Sequence, residues 1–375
     1  EHLMFKGTER FNKEAGTSVF QTLQKLGAQV NATTWLDRTN YYALLPVEHL
    51  EAAVEIEADR MRRARLDAAS LESERTVILN ELDRGENDPF RRLYHLVWST
   101  AFLAHPYGHP TIGWRADVET VTPEGLRGFY DRFYWPDNAT ATVIGGVSAE
   151  DALALLERHF GAIPKAPAPP VASTTREPEQ AGMRRVTLRQ EAQLGTVVLA
   201  WKVPHGLHED ADALALLALA LGTGKASRLY SALVDTGLGV FAGTSFPRLH
   251  DPGLFVAYAQ PAPGHTHAEV EAAILEAVET LVREGVSETE LARVQGLLRA
   301  QEAFARDGAF AAASQLNEAI AAGDWRLFAT ALDRAAHVTA ENLQRVARTY
   351  LHEDALTVGW HLTEGRGPRF EDREE

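Results

Sequence analysis

Val121-Thr122-Pro123-Glu124-Gly125-Leu126 returns as Val338-Thr339-Ala340-Glu341-Asn342-Leu343, 217 residues further along the chain. In each copy a threonine stands where an N-cap belongs, reinforced by Pro123 at the first helical position of the first copy. An amphipathic helix and then a strand are expected to follow. Tyr134, Asp137-Asn138-Ala139 and Thr142-Val143 are answered by Tyr350, Glu353-Asp354-Ala355 and Thr357-Val358 at an offset near 216. Gly7-Thr8 and Glu74 are answered by Gly222-Thr223 and Glu290 at nearly the same offset. One such match is within chance. Four in the same order predict a duplicated α+β domain.

Working outward, residues 165–182 carry Pro167, Pro169, Pro170 and Pro178 with little apolar periodicity, the composition of a linker. The expected organisation is therefore a first domain over 1–164, a linker over 165–182, a homologous second domain over 183–363 and a polar tail over 364–375. The 375 residues are 45% apolar and 24% charged, ordinary globular usage that excludes disorder or low complexity for the whole. The longest nearly apolar run, residues 211–221, is interrupted by Asp212 and is far short of the roughly 20 residues of a membrane-spanning helix. A formal charge of −15 argues against nucleic acid and anionic membrane surfaces as partners. With no Cys, any metal must be held by His, Asp or Glu. The opening Glu1-His2-Leu3-Met4-Phe5-Lys6-Gly7 looks like the inside of a helix, so an N-terminal segment is expected to precede it.

Each half predicts a helix, a strand pair, further helices and a final strand. In the first, helix is expected over 16–26, β structure over 29–34 and 39–45, and helices over 47–63 and 68–84. In the second, Ser287 and Glu290 predict a capping box for a helix running through Arg306.

Chemistry concentrates at Glu1-His2 with Glu74 and Glu81. A His three residues before Glu1 would complete His-x-x-Glu-His on one helix face, two imidazoles for zinc and a carboxylate able to take a proton from water. Glu81 can supply a third ligand, and Glu74, seven residues earlier, shares its helix face. An isolated Glu-His pair is ordinary helix surface. The duplication adds weight: Leu216-Leu217 align with Glu1-His2, and Leu297 with Glu81. Three polar residues are thus leucines in the copy, which predicts one metal site per chain.

Glu1 to Thr8, Asn31-Ala32-Thr33-Thr34 with Tyr41-Tyr42, Glu74 to Glu81, Pro106-Tyr107-Gly108 and Ser227-Arg228-Leu229-Tyr230 resemble, in order, the pitrilysin, insulinase and mitochondrial processing peptidase family of inverted-motif zinc peptidases. The resemblance runs through nearly the whole chain and is nearest to bacterial members of processing-peptidase type. It implies the two-domain α+β fold called LuxS/MPP-like metallohydrolase, and one Zn2+. Glu1 would be the general base, His2 and Glu81 metal ligands, and Glu74 a supporting carboxylate near the metal. The strand with Asn31, Ala32 and Thr34 would bind a peptide substrate by strand addition, although the residues alone describe an ordinary edge strand.

Two departures sharpen this. Family members with a complete site carry an Arg and a Tyr in the second half; anchoring on Ser227-Arg228-Leu229 puts Val234 and Phe241 there. The expectation is a heterodimer whose homologous partner supplies both. Where basic-selecting processing peptidases carry acidic residues, this chain has Arg91 and His95, which argues against an Arg-directed presequence peptidase. Bacterial relatives that are exported favour the periplasm over the cytoplasm. A non-catalytic peptide-binding or assembly subunit is the alternative from a different class. Gly222 to Ser227 is expected to be a helix end rather than a phosphate loop, and His205, His208, His265 and His267 are expected at the surface.

Overall fold

The structure, a computed structural model, describes residues 1–170 and 175–363, so the expected tail over 364–375 and part of the expected linker lie outside the described residues. In chain order the described elements are α1 (Val19–Lys25), β1 (Gln29–Thr34), β2 (Thr39–Leu44), α2 (Leu50–Arg63), α3 (Ala68–Glu86), α4 (Pro89–Ala101), α5 (Arg115–Thr120), α6 (Pro123–Phe133) and α7 (Ala149–Phe160). They continue with β3 (Arg184–Arg189), β4 (Thr196–Val203), α8 (Ala211–Gly222), β5 (Gly239–Ser245), β6 (Gly253–Pro261), α9 (His267–Glu284) and α10 (Glu288–Ala305). The last are α11 (Ala309–Ala321), α12 (Leu327–Ala336), α13 (Ala340–Tyr350) and β7 (Leu356–Leu362). Two compact units result: the first takes residues 1–83, 111–170 and 307–317, the second 84–110, 175–306 and 318–363.

In the second unit a five-stranded sheet runs in the order β3-β7-β4-β6-β5, parallel only between β3 and β7. Its centre is β4, Thr-Val-Val-Leu-Ala-Trp-Lys-Val, in which all but Lys202 are buried, as expected for a strand covered on both faces. One face receives α8, apolar nearly all round, with Leu214, Leu216, Leu217 and Leu221 fully buried against Leu199, Trp201 and Phe255. The other receives α4, which approaches so closely that a Cβ on Gly359 of β7 would stand 2.4 Å from a Val97 methyl. Residues 175–182, expected as linker, are tied in here: Glu177 accepts the N–H groups of Leu103, Ala104 and His105 and the Lys202 ammonium at 2.7–3.0 Å. Burial opposes its charge, but those donors outweigh it and bring the carboxyl down to about 2.

In the first unit β1 and β2 form an antiparallel hairpin, with Ala32 opposite Tyr41 and Thr34 opposite Thr39. Small cores lie beneath it, one of Phe11, Val19, Leu23, Ala53 and Ile56, the other of Leu3, Met4, Ala64, Leu66, Leu71 and Tyr130.

The duplication is visible in detail. Thr122 caps α6 and Thr339 caps α13, and each helix is followed by a short 3₁₀ turn, Pro136–Asn138 and Glu353–Ala355. The copies then diverge. Residues 356–362 form β7 between β3 and β4, but 139–146 form no strand, correcting the expectation, because the β1–β2 ladder is the whole sheet of the first unit among the described residues. The expected capping box is half formed. Ser287 accepts the Glu290 N–H, whereas the Glu290 carboxylate binds the Arg228 guanidinium at 3.0 and 2.7 Å. No helix among the described residues is long and apolar enough to cross a membrane.

Candidate metal centre

His2–Phe5 form a 3₁₀ turn. Leu3 and Met4 sink into the core below α3 and leave His2 partly exposed above it. Gly7 ends the turn at φ +101°, a conformation that favours glycine, and a Cβ there would stand 2.0 Å from the Phe11 carbonyl oxygen. The sequence Lys6-Gly7-Thr8 therefore fixes the chain's exit, and with it the seat of His2.

α3 presents Glu74 and Glu81 two turns apart on the face that meets the turn. His2 Nδ1 stands 3.0 Å from Glu74 Oε1, and His2 Nε2 stands 3.4 Å from Glu81 Oε2. Glu74 is buried and also receives the Lys6 ammonium on its other oxygen; Glu81 is half exposed. Burial works against a charge on Glu74, yet the hydrogen bonds from Lys6 and His2 hold its carboxyl below the usual carboxylate range. With Nδ1–H assigned to the bond to Glu74, the Nε2 lone pair faces a carboxylate oxygen. Two ligands on a tetrahedral zinc, with bonds of roughly 2.0–2.2 Å, stand about 3.4 Å apart. The donors, their spacing and a carboxylate behind the imidazole thus fit zinc. Among the described residues no set of three or more His, Cys, Asp or Glu could hold an ion, so they offer two protein donors.

Glu1 lies beside this pair with its carboxylate bound by the Thr34 hydroxyl of β1. On β1 the register decides which amides are available. Trp35 donates to Arg38 across the turn, so alternate pairs place the backbone of Ala32 and Thr34 outward, away from β2. The Ala32 N–H is met there by the Asn31 side-chain oxygen at 2.9 Å.

Sequence reasoning assigned no role to Lys6, although the motif contained it, and none to the packing behind the turn. There the buried Arg60 guanidinium lies over the rings of Phe5 and Tyr41, and the Tyr41 and Tyr134 hydroxyls meet at 2.7 Å. Burial first, then each other and nearby Glu1, push Tyr41 well above the ordinary phenol value.

Elsewhere, Val234 closes a π-helical turn, Tyr230–Val234, and Phe241 is half exposed on β5 against Tyr258. Arg91 and His95 sit on α4; burial and then Arg91 lower the affinity of His95 for a proton. α8 ends at Gly222, as expected, and a side chain at that position would strike Thr244. Three of the four histidines expected at the surface are half-buried: His205 and His208 pack edge to face, and His267 meets the His361 carbonyl at 2.6 Å. His265 is exposed.

The model for Insulinase (Peptidase family M16) matches residues 1–114, and that for the Peptidase M16 inactive domain matches 120–298. An uncharacterised zinc protease of Mycobacterium leprae is 29% identical over 98% of this chain and 83% of its own length. The zinc protease PqqE of Helicobacter pylori is 29% identical over 79% of this chain and 67% of its own length. The crystal structure of a protease from Helicobacter pylori superposes with a TM-score of 0.91 at 26% identity, over 96% of this chain and 87% of that one. The leucines at 216, 217 and 297 lie in the half that the inactive-domain model matches or adjoins, and the His2, Glu74 and Glu81 constellation lies in the half matched by the peptidase model. The chain belongs to the insulinase family of peptidases, M16.

Proposed function

We propose that this chain is the zinc-bearing subunit of a metallo-endopeptidase that cleaves oligopeptides or unfolded segments. The observation that carries the reading is the His2 ring held between Glu74 and Glu81, with its Nε2 and a Glu81 carboxylate oxygen 3.4 Å apart. His2 and Glu81 would hold the metal, and Glu74 orients the imidazole. Zinc, when bound, supplies Lewis-acid polarisation of a peptide carbonyl and acidifies water. Glu1, steadied by Thr34, takes the proton from the attacking water and returns it to the leaving amine. The outward amides of Ala32 and Thr34 pair with an extended substrate, with Asn31 giving up its hold on Ala32 as the strand adds. Backbone pairing tolerates many sequences, which suits broad peptide cleavage. The remaining protein donor is assigned to a histidine three residues before Glu1. Because Val234 and Phe241 provide neither guanidinium nor phenol, an Arg and a Tyr that stabilise the oxyanion come from a homologous partner.

The test is zinc stoichiometry in the chain carrying His-X-X ahead of Glu1. About one zinc per chain, lost on Glu81→Ala, supports the reading. Glu1→Gln is expected to keep the metal while lowering peptide cleavage about 10²-fold or more, measured with the partner present. No zinc at any concentration overturns it in favour of a peptide-binding subunit, and full cleavage by the chain alone overturns the partner requirement.

A further inference from the structure

We propose that Lys6 is a positioning residue: through Glu74 it fixes which nitrogen of His2 faces Glu81. The inference rests on the zinc reading of the same site and extends it to a residue that touches neither metal donor. One carboxylate is shared. Its Oε1 faces His2 Nδ1 at 3.0 Å, and its Oε2 receives the Lys6 ammonium, whose further neighbour is the Ser73 hydroxyl at 3.5 Å.

Sharing matters because the Glu74 side chain is only 12% exposed, while those of His2 and Lys6 are each 29% exposed. A buried carboxylate keeps one orientation when both oxygens are occupied, and costs free energy when either is left without a partner. With Lys6 in place, Oε2 is taken and Oε1 is left for the imidazole. The ring then donates from Nδ1 and turns the Nε2 lone pair toward Glu81. Without Lys6, nothing fixes which oxygen, or which carboxylate rotamer, meets the ring, and the His2 ring is free to donate from Nε2 to Glu81 instead. That tautomer withdraws the lone pair a metal needs. The four-carbon stem of lysine, leaving just after the His2–Phe5 turn, lets one short segment supply both the donor and the charge that aims it.

The decisive measurement is made without metal: the ring 15N signals of His2, in protein labelled at histidine, for the wild type, Lys6→Met, Lys6→Arg and Ser73→Ala. The wild type is expected to show the Nδ1–H form, and Lys6→Met a shift to the Nε2–H form or a mixture. Lys6→Arg should restore the wild-type pattern, and Ser73→Ala should leave it unchanged. Circular dichroism confirms that each variant is folded, and if Lys6→Met is not, Lys6→Gln takes its place. In the chain carrying His-X-X ahead of Glu1, chelator competition should show zinc binding weakened about 10- to 100-fold by Lys6→Met and close to wild type for Lys6→Arg. An unchanged ring pattern in folded Lys6→Met overturns the inference even if zinc binds normally. A ring pattern that follows Lys6 in a chain that takes no zinc upholds the inference and overturns the metal reading instead.

Discussion

At the scale of single residues, charges here are settled by the number of donors that surround them rather than by exposure. Glu177 shows this outside the site. Its carboxyl lies at about 2 in the folded chain, against 4.5 for an ordinary glutamate. A folded-state value that is depressed means stabilisation present above about pH 4.5 and lost progressively as pH falls toward 2. Glu177→Gln is therefore expected to lower stability at pH 7 by about 1–2 kcal/mol in urea unfolding, with the gap to wild type closing near the acid end of that range. A gap that stays constant with pH would show that the carboxylate charge is not what those amides hold. His2, Glu74 and Glu81 could be read from sequence because helical spacing alone puts the two glutamates on one face. The partners of Lys6, Thr34, Arg228 and Glu177 could not, since each is chosen by an element distant in the chain.

At the scale of elements, the β1 edge offers a clean separation of folding from binding. The N–H of Ala32 points away from β2, whereas that of Asn31 points into the ladder. Ala32→Pro removes only the outward donor, so the hairpin is expected to survive, as edge strands tolerate proline on their open side. Loss of one backbone hydrogen bond to an added strand should weaken peptide binding about 5- to 10-fold by titration calorimetry. Asn31→Pro, one position away, should instead lower the thermal midpoint, because a ladder bond is lost. Equal effects of the two prolines on stability would contradict the register. The same contrast runs across the larger sheet: β3 carries Arg184, Arg185 and Arg189 along its edge, while β5 carries no charge. The β1–β2 pair and the final strand β7 were legible from β-rich runs; β3 and β4, ahead of the first helix of the second half, were not expected, nor was the failure at residues 139–146, because a strand exists only with a neighbour to pair with.

At the scale of the whole molecule, one design is used twice with opposite emphasis. Leu216 and Leu217 fill the core of the second unit, and the residues aligned with them, Glu1 and His2, sit at the surface of the first. Leu217→Ala is accordingly expected to cost about 2–5 kcal/mol of stability by denaturant unfolding, as buried leucines do. His2→Ala should cost less, about 1–2 kcal/mol, for the Glu74 oxygen it leaves without a partner. A loss as large as that of Leu217→Ala would mean that the His2 ring is itself core packing. The repeat made the fold class legible, since a shared order of cap, helix and turn is local chemistry. How the chain is dealt out between the units was not. α4 follows α3 directly yet packs on the sheet of the second unit, and residues 307–317 return to the first. That threading bears on synthesis. The ribosome releases residues 1–83 before the second unit, but the unit that contains them stays short of a segment until residue 317 has emerged. The residues proposed for the chemistry are thus made well before the unit that holds them is complete.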